Sequence, residues 1–276
     1  MSDTIETFGH SLLQHGKEGN RIYLMKFDKR DEKVLLKYLD TLANKENYTK
    51  IVAKLPFSHK NSFKDYGYEQ EAVMPSYYQR HQDCVMMSKY LTEDRAKIQN
   101  ASKLEKIIQS VQKKAGEPPS ALPGLWRLRR LTENDVPALA QIYQTVFQSY
   151  PFPIFDEQYL LETMADNIQY YGVFTSDGLV AVASSETDPA HLNSEMTDFA
   201  VLSEYRGYQL ALHLLLELEQ QMKQQGYRLL YTIARSLSYG MNSTFAKAGY
   251  SFGGTLFNNT QISGSIESMN IWHKEI

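Results

Sequence analysis

Residues 194–211 read SEMTDFAVLSEYRGYQLA. Residues of about 195–201, EMTDFAV, read as a strand. EYRGYQLA then turns into a helix carried by Leu210, Leu214, Leu215, Leu218 and Met222 and closed by Gly226. A helix start presents unpaired backbone N–H groups and the positive end of the helix dipole, which suits a phosphate. Gly207 lets the backbone approach such an anion closely, and Arg206 adds charge. An ordinary strand–turn–helix joint with a surface arginine accounts equally well for these eight residues taken alone.

The elements on either side place this joint in a longer order. Before it, WRLRRL at 126–131 is a short alternating strand. Thr132 and Asp135 then open a helix through Pro137, Ile142, Tyr143, Val146 and Phe147, stopped at Tyr150-Pro151-Phe152-Pro153. A second helical stretch covers about 156–167. YYGVFTS and LVAVASS follow as strands joined by the turn Ser176-Asp177-Gly178. After the joint come a strand at 228–234, a helix around 240–248 and closing strands near 251–258 and 266–273. The order β-α-α-β-β-β-α-β-α-β-β, with a crossover helix between parallel strands, predicts an α+β fold with a mixed sheet and flanking helices.

Residues 115–124, AGEPPSALPG, are too rich in proline for a helix or a central strand. They divide the chain into 1–114, a linker 115–124 and 125–276. The first segment reads as a partial copy of the end of the second. Strand IYLMKF, helix EKVLLKYLDTLAN and strand YTKIVAK are followed by FKDYGY at 63–68, set against FAKAGY at 245–250. Tyr48 against Tyr227 and Phe63 against Phe245 stand 179 and 182 positions apart (227 − 48 and 245 − 63). At the same offset Gly207 falls against Asp28, in KFDKRDE, a poor phosphate cradle. The first segment is therefore expected to extend the sheet without binding a cofactor.

Composition narrows the function. Across 276 residues, 29 Lys and Arg against 32 Asp and Glu give a net charge of −3, without the basic footprint of a nucleic-acid binder. A single cysteine, Cys84, excludes intrachain disulfides and thiolate metal cages, and seven scattered histidines with no paired spacing point to no metal. MSDTIETFGH at the start has no apolar run, and no stretch is long and apolar enough for a membrane span. A cytoplasmic protein with no nucleic-acid or membrane partner is the expectation.

The layout around EYRGYQLA resembles the GNAT superfamily of acetyl-CoA-dependent N-acetyltransferases, whose pyrophosphate loop follows the pattern [QR]-x-x-G-x-[GA]. Gly207 fills the central glycine, Glu204 stands where Gln or Arg is usual, and Gln209 where Gly or Ala is usual. The strings SEMTDFAV, YTIARS, GMNSTFAKAGY, GTLFNNTQI and ESMNIW are similar to the beta-lysine N6-acetyltransferase family, over nearly the whole chain. The resemblance implies a GNAT-like catalytic domain at 125–276 preceded by a half-GNAT-like repeat. It implies acetyl-CoA as co-substrate, with main-chain contacts from Phe199, Ala200 and Val201. It implies that backbone groups of Tyr205, Arg206, Gly207, Tyr208, Gln209, Leu210 and Ala211 cradle the pyrophosphate. Asn242, the nearest polar residue of the later helix, is a separate candidate for binding CoA or water.

A free amine with pKa near ~10.4 is protonated at neutral pH and cannot attack a thioester until a base takes its proton. The resemblance places Glu195 in that role. Asp198, on the opposite face by strand alternation, is the rival. The family's usual acid, a tyrosine four residues before Gly249, is here Phe245, which leaves Tyr239 or an ordered water to protonate the leaving thiolate. Beta-lysine is a small, flexible amine carrying an extra ammonium and a carboxylate, and Tyr150, Glu186, Asp188, Arg235 and Asn259 are candidate wall residues. The implied product, N6-acetyl-beta-lysine, is a neutral zwitterion suited to a compatible solute under osmotic stress. Lysine, a polyamine or a protein lysine as acceptor, or a non-catalytic CoA-binding module, are the alternatives.

Overall fold

In the computed structural model, which describes residues 3–262 and 264–276, strands from both segments join one mixed sheet. The first segment contributes β1 (Thr4–Phe8), β2 (Ser11–Gly16), β3 (Arg21–Lys26), α1 (Glu32–Glu46), β4 (Lys50–Pro56), α2 (Lys60–Asp65), β5 (Glu69–Tyr78), β6 (Gln82–Tyr90), α3 (Glu93–Ala96) and α4 (Ala101–Gln112). The second contributes β7 (Arg127–Arg130), α5 (Val136–Val146), α6 (Glu157–Ala165), β8 (Ile168–Thr175), β9 (Gly178–Asp188), β10 (Asn193–Val201), α7 (Leu210–Gln224), β11 (Leu229–Arg235), α8 (Tyr239–Lys247), β12 (Ser251–Ile262) and β13 (Ser265–Glu275). The order in the second segment is the expected one. β12 and β13 run further than the sequence suggests, because their hairpin pairing resumes at Thr260↔Glu267 beyond a bulge after Leu256.

Across the sheet the strands lie β1-β2-β3-β4-β6-β5-β12-β13-β11-β10-β9-β8-β7. Each segment holds one parallel pair, β3 with β4 and β10 with β11, joined by a helical crossover. The sequence β3-β4-β6-β5 is mirrored as β10-β11-β13-β12 about the contact of β5 with β12. That contact is made at Gly254↔Ala72. A Cβ on Gly254, where φ is +137°, would lie 2.2 Å from the Glu71 carbonyl oxygen, so only glycine lets the two edges meet there.

The apolar pattern read along α7 is the one that is buried: Leu210, Leu214, Leu215, Leu218 and Met222 pack beneath the sheet. Covering such a side chain stabilises the fold by about 1.5–3 kcal/mol relative to leaving it in water. A further apolar cluster combines Val52, Met74, Tyr77 and Met86 of the first segment with Leu229, Tyr231, Met269 and Ile271 of the second. The 115–124 stretch lies against the second segment, through Glu117 to Lys247 at 2.9 Å and the Ser120 amide to Gln209 Oε1 at 2.9 Å. α4, although it precedes that stretch, buries Ile107 and Val111 in the core around α7.

Candidate active site

β10 and β11 pair only at Asn193–Glu195 against Leu229–Tyr231, although β10 continues to Val201 and β11 to Arg235. Beyond Glu195 the two central parallel strands part. The divergence coincides with a bulge in β10, where the register with β9 slips between Thr197 and Ala200 and Asp198 takes φ +53°. A bulge inserts an extra residue and re-aims the side chains beside it. Strand alternation predicts Asp198 on the face opposite Glu195; the bulge instead turns it into the same cavity, correcting that expectation.

This cavity, of about 330 Å³, lies at the parting of the strands. Glu186, Glu195, Asp198 and Phe199 line it, with Tyr150 from the chain after α5 and Arg235 from the end of β11. Glu195 is directly opposite Glu186 across the β9–β10 ladder and beside Tyr231 across the parallel ladder. Burial and the facing Glu186 charge push Glu195 up to about 8, against the pull of Lys54 and a hydrogen bond with Tyr231. Burial likewise raises Glu186, with Lys54 opposing. Asp198 is raised by burial although the Ser184, Tyr150 and Thr197 hydroxyls favour its charged form. Tyr150 Oη donates to Asp198 Oδ1 at 2.5 Å and Ser184 Oγ donates to Oδ2 at 2.6 Å.

The remaining substrate-wall candidates do not come to the cavity as free groups. Asp188 accepts from the His191 ring at 2.7 Å and from its amide at 3.2 Å, outside the lining. Asn259 is buried and donates to Thr260 Oγ1 at 3.2 Å; it is Thr260 that reaches the lining. Arg235 lines the cavity but its guanidinium is engaged by both carboxylate oxygens of Glu267.

At the start of α7, Gly207 has φ +95° and nothing lies within 4 Å of where a Cβ would be. Gln209 is left-handed at φ +58°, and its side chain does not cap the helix. The N–H groups of Gly207, Tyr208, Gln209, Leu210 and Ala211 have no acceptor among the described residues, so five donors are left at this helix start. The expected cradle is narrower than 205–211. The Tyr205 amide donates to Leu202 O at 3.0 Å and the Arg206 amide to Ser203 O at 3.2 Å, so both are consumed in a tight turn. The Tyr205 hydroxyl is also tied to Asp177.

Two further expectations change. Asn242 is fully buried, donates to the carbonyls of Arg235, Ser236 and Ser238, and accepts from Asn270 Nδ2 at 2.8 Å and Trp272 Nε1 at 2.9 Å. It has no capacity left for a cofactor. Tyr239 is 41% exposed, with its hydroxyl 3.4 Å from Ser110 Oγ and Lys114 over its ring, and it does not line the cavity. Phe245 is buried edge-on against Phe199 and Tyr250, as core packing. Sequence reasoning passed over Lys54, Tyr23 and Tyr231, which do line the cavity. The available signal for Lys54 was a second lysine, four residues after Lys50, inside the otherwise apolar strand KIVAKLP.

The match of residues 136–250 to the acetyltransferase (GNAT) family, with a central parallel pair splayed beside a glycine-led helix start, makes this chain a member of that family. It is an N-acetyltransferase. A relative from Methanococcus maripaludis named beta-lysine N(6)-acetyltransferase is 39% identical over 264 residues, covering 96% of this chain and 96% of that protein. A protein of the same name from Methanosarcina mazei is 31% identical over 255 residues, 85% of this chain and 94% of its own length. N-acetyltransferase YodP of Bacillus subtilis is 33% identical over 266 residues, 96% of each. Among the described residues no helix is long and apolar enough to cross a membrane.

Proposed function

We propose that this chain transfers the acetyl group of acetyl-CoA to the N6 amine of beta-lysine. The observation that carries the reading is its likeness, along 96% and 85% of its length, to two proteins named for that reaction. The site's chemistry agrees with it. Two facing carboxylates, Glu186 and Glu195, with Asp198 in the same cavity, suit a substrate bearing two ammonium groups.

The residues present fit acetyl-CoA. The five free N–H groups of 207–211 offer the phosphates a neutralising cradle without a metal, and Arg206, exposed beside them, adds charge. Main-chain groups of Phe199, Ala200 and Val201 lie where β10 has parted from β11 and would hold the pantetheine arm. When bound, the co-substrate supplies an activated thioester carbonyl. Glu195 accepts the proton of the incoming ammonium, directly or through one water, and burial makes it basic enough to do so. Asp198, pinned by the hydroxyls of Tyr150, Ser184 and Thr197, positions Tyr150 and the wall instead. No tyrosine acid is needed at Phe245 or Tyr239, because a thiol of pKa near ~8.5 leaves as a thiolate that solvent protonates.

Acetylation removes one positive charge, so a +1 amino acid becomes a neutral zwitterion that accumulates without a counter-ion, as a compatible solute in the cytoplasm during osmotic stress. We read 1–114 as a half-repeat that does not bind a cofactor. Where the second half has its cradle, the first places its own carboxylates, Asp28 bonded to Arg30 and Asp31 to the His10 amide and Ser11. The test is release of CoA by the purified chain with acetyl-CoA and beta-lysine, with mass spectrometry locating the acetyl group. Turnover of peptides or polyamines in preference to beta-lysine sinks the assignment.

A further inference from the structure

The beta-lysine reading accounts for the carboxylates of the cavity but leaves its cations unexplained. Three cationic side chains line it: Arg21 and Lys54 from the first segment, and Arg235 from the second. Arg235 is held by Glu267. Arg21 donates to Thr260 Oγ1 at 3.0 Å and its guanidinium lies 5.5 Å from the centre of the Tyr23 ring. Lys54 alone among the three has no oxygen in hydrogen-bond or ion-pair reach among the described residues; its ammonium sits 5.6 Å and 5.9 Å from the ring centres of Tyr77 and Tyr231.

An ammonium has three donors, and ring faces satisfy none of them as a hydrogen bond does. Lys54 is partly buried and lines the cavity, so its donors are open to what the cavity holds, and an anionic group there satisfies them best. The protein's own carboxylates do not close on it. Lys54 is near enough to Glu186 and Glu195 for its charge to act on both, yet among the described residues it forms an ion pair with neither. Its aromatic neighbours, Tyr77 from β5 and Tyr231 from β11, wedge the ammonium in place from both halves of the sheet.

We propose that Lys54 is the carboxylate anchor of the acceptor site, so that the amino-terminal half-repeat selects an amino acid over a plain diamine. The inference rests on the beta-lysine reading and deepens it. Glu186 faces the ammonium that does not react, Glu195 faces the amine that does, and Lys54 holds the carboxylate. The half-repeat then has a role beyond widening the sheet. Pairing of β5 with β12 brings β4, and with it Lys54, to the edge of the second segment's cavity.

The experiment compares beta-lysine with 1,4-diaminopentane, the same carbon chain with hydrogen in place of the carboxylate, in the full-length wild type, Lys54→Met and Lys54→Arg. Wild type should favour beta-lysine in kcat/KM. In Lys54→Met that preference ratio should fall by roughly 10- to 100-fold, the loss of a charge-assisted hydrogen bond, expressed in KM with little change in kcat. Lys54→Arg should recover part of it. Thermal melting and acetyl-CoA binding of each variant report whether it is folded. Equal loss on both substrates overturns the anchor and makes Lys54 a support for Glu195. Wild type that uses the diamine as well as beta-lysine overturns the anchor without any variant, while leaving the acetyltransferase reading intact. Wild type that turns over the diamine but not beta-lysine overturns both.

Discussion

Tyr150 Oη donates to Asp198 Oδ1 across 2.5 Å, joining the segment after α5 to a left-handed residue in the middle of the central strand. Asp198 adopts φ +53°, a conformation an aspartate tolerates better than most residues but seldom takes inside a strand. The hydroxyls of Tyr150 and Ser184 on its carboxylate, with a longer contact from Thr197 at 3.4 Å, hold the bulge that opens β10 away from β11.

Because the two residues act as one unit, their substitutions should not add. Tyr150→Phe and Asp198→Asn should each destabilise the fold by about 1–3 kcal/mol, the range for a hydrogen bond to a buried charged group. The double variant should cost less than the sum, with a coupling of about 0.5–3 kcal/mol in denaturant titrations. Strict additivity would mean that the bond does not hold the bulge.

Glu195 should set the pH dependence of catalysis. With its carboxyl pushed up to about 8, the ionised base appears only as pH rises through that value, so kcat/KM should climb and show a limb near 8. Glu195→Gln should abolish that limb, leaving the amine's own rise near ~10.4, and lower kcat by roughly 10²–10⁴ at neutral pH. Glu186→Gln removes the facing like charge, so the wild-type limb should move to lower pH. A profile identical to wild type in Glu195→Gln removes this residue from the mechanism.

The same group ties stability to pH with a definite sign. Glu195 holds its proton more tightly folded, near 8, than at its ordinary value of 4.5. The folded state therefore binds more protons between those values, and stability from this group is present below 4.5 and lost as pH rises through 8. Melting temperatures measured from pH 5 to 8 should fall more steeply for wild type than for Glu195→Gln.

Asn242 should matter to folding and not to cofactor affinity. Asn242→Ala leaves Trp272 Nε1 and Asn270 Nδ2 without their buried acceptor and should lower stability by about 2–4 kcal/mol. Calorimetry on the folded fraction should find acetyl-CoA affinity within about twofold of wild type, a difference of only tenths of a kcal/mol. A large drop in affinity with normal stability would return Asn242 to the cofactor site.

Gly207→Val tests the cradle. The positive φ of +95° makes a β-branched residue strained there, by about 1–3 kcal/mol, even though a Cβ meets nothing within 4 Å in the free protein. The new side chain occupies the open space beside the unpaired amides of 207–211, so acetyl-CoA affinity should fall well over tenfold, more than 1.4 kcal/mol. Unchanged affinity would place the phosphates elsewhere.

By itself the sequence determined the elements of 125–276 and the turn at Gly207, because hydrophobic period, glycine and helix-start chemistry are local and survive in the linear order, while the candidacy of Glu195 followed from the family resemblance of the strand that carries it. Where it failed, the deciding contacts were distant. Strand alternation sent Asp198 to the wrong face because a bulge shifts the period by one residue, and nothing in SEMTDFAV announces the hydroxyls of Tyr150 and Ser184 that stabilise it. Asn242 looked like a free polar residue on a short helix until Asn270 and Trp272, 28 and 30 positions away, claimed its oxygen. Lys54 is the clearest case. Only the pairing of Ala72 with Gly254 carries β4 to the mouth of the second half, and a strand register between residues so far apart is set by the packing of two faces, which no single segment encodes.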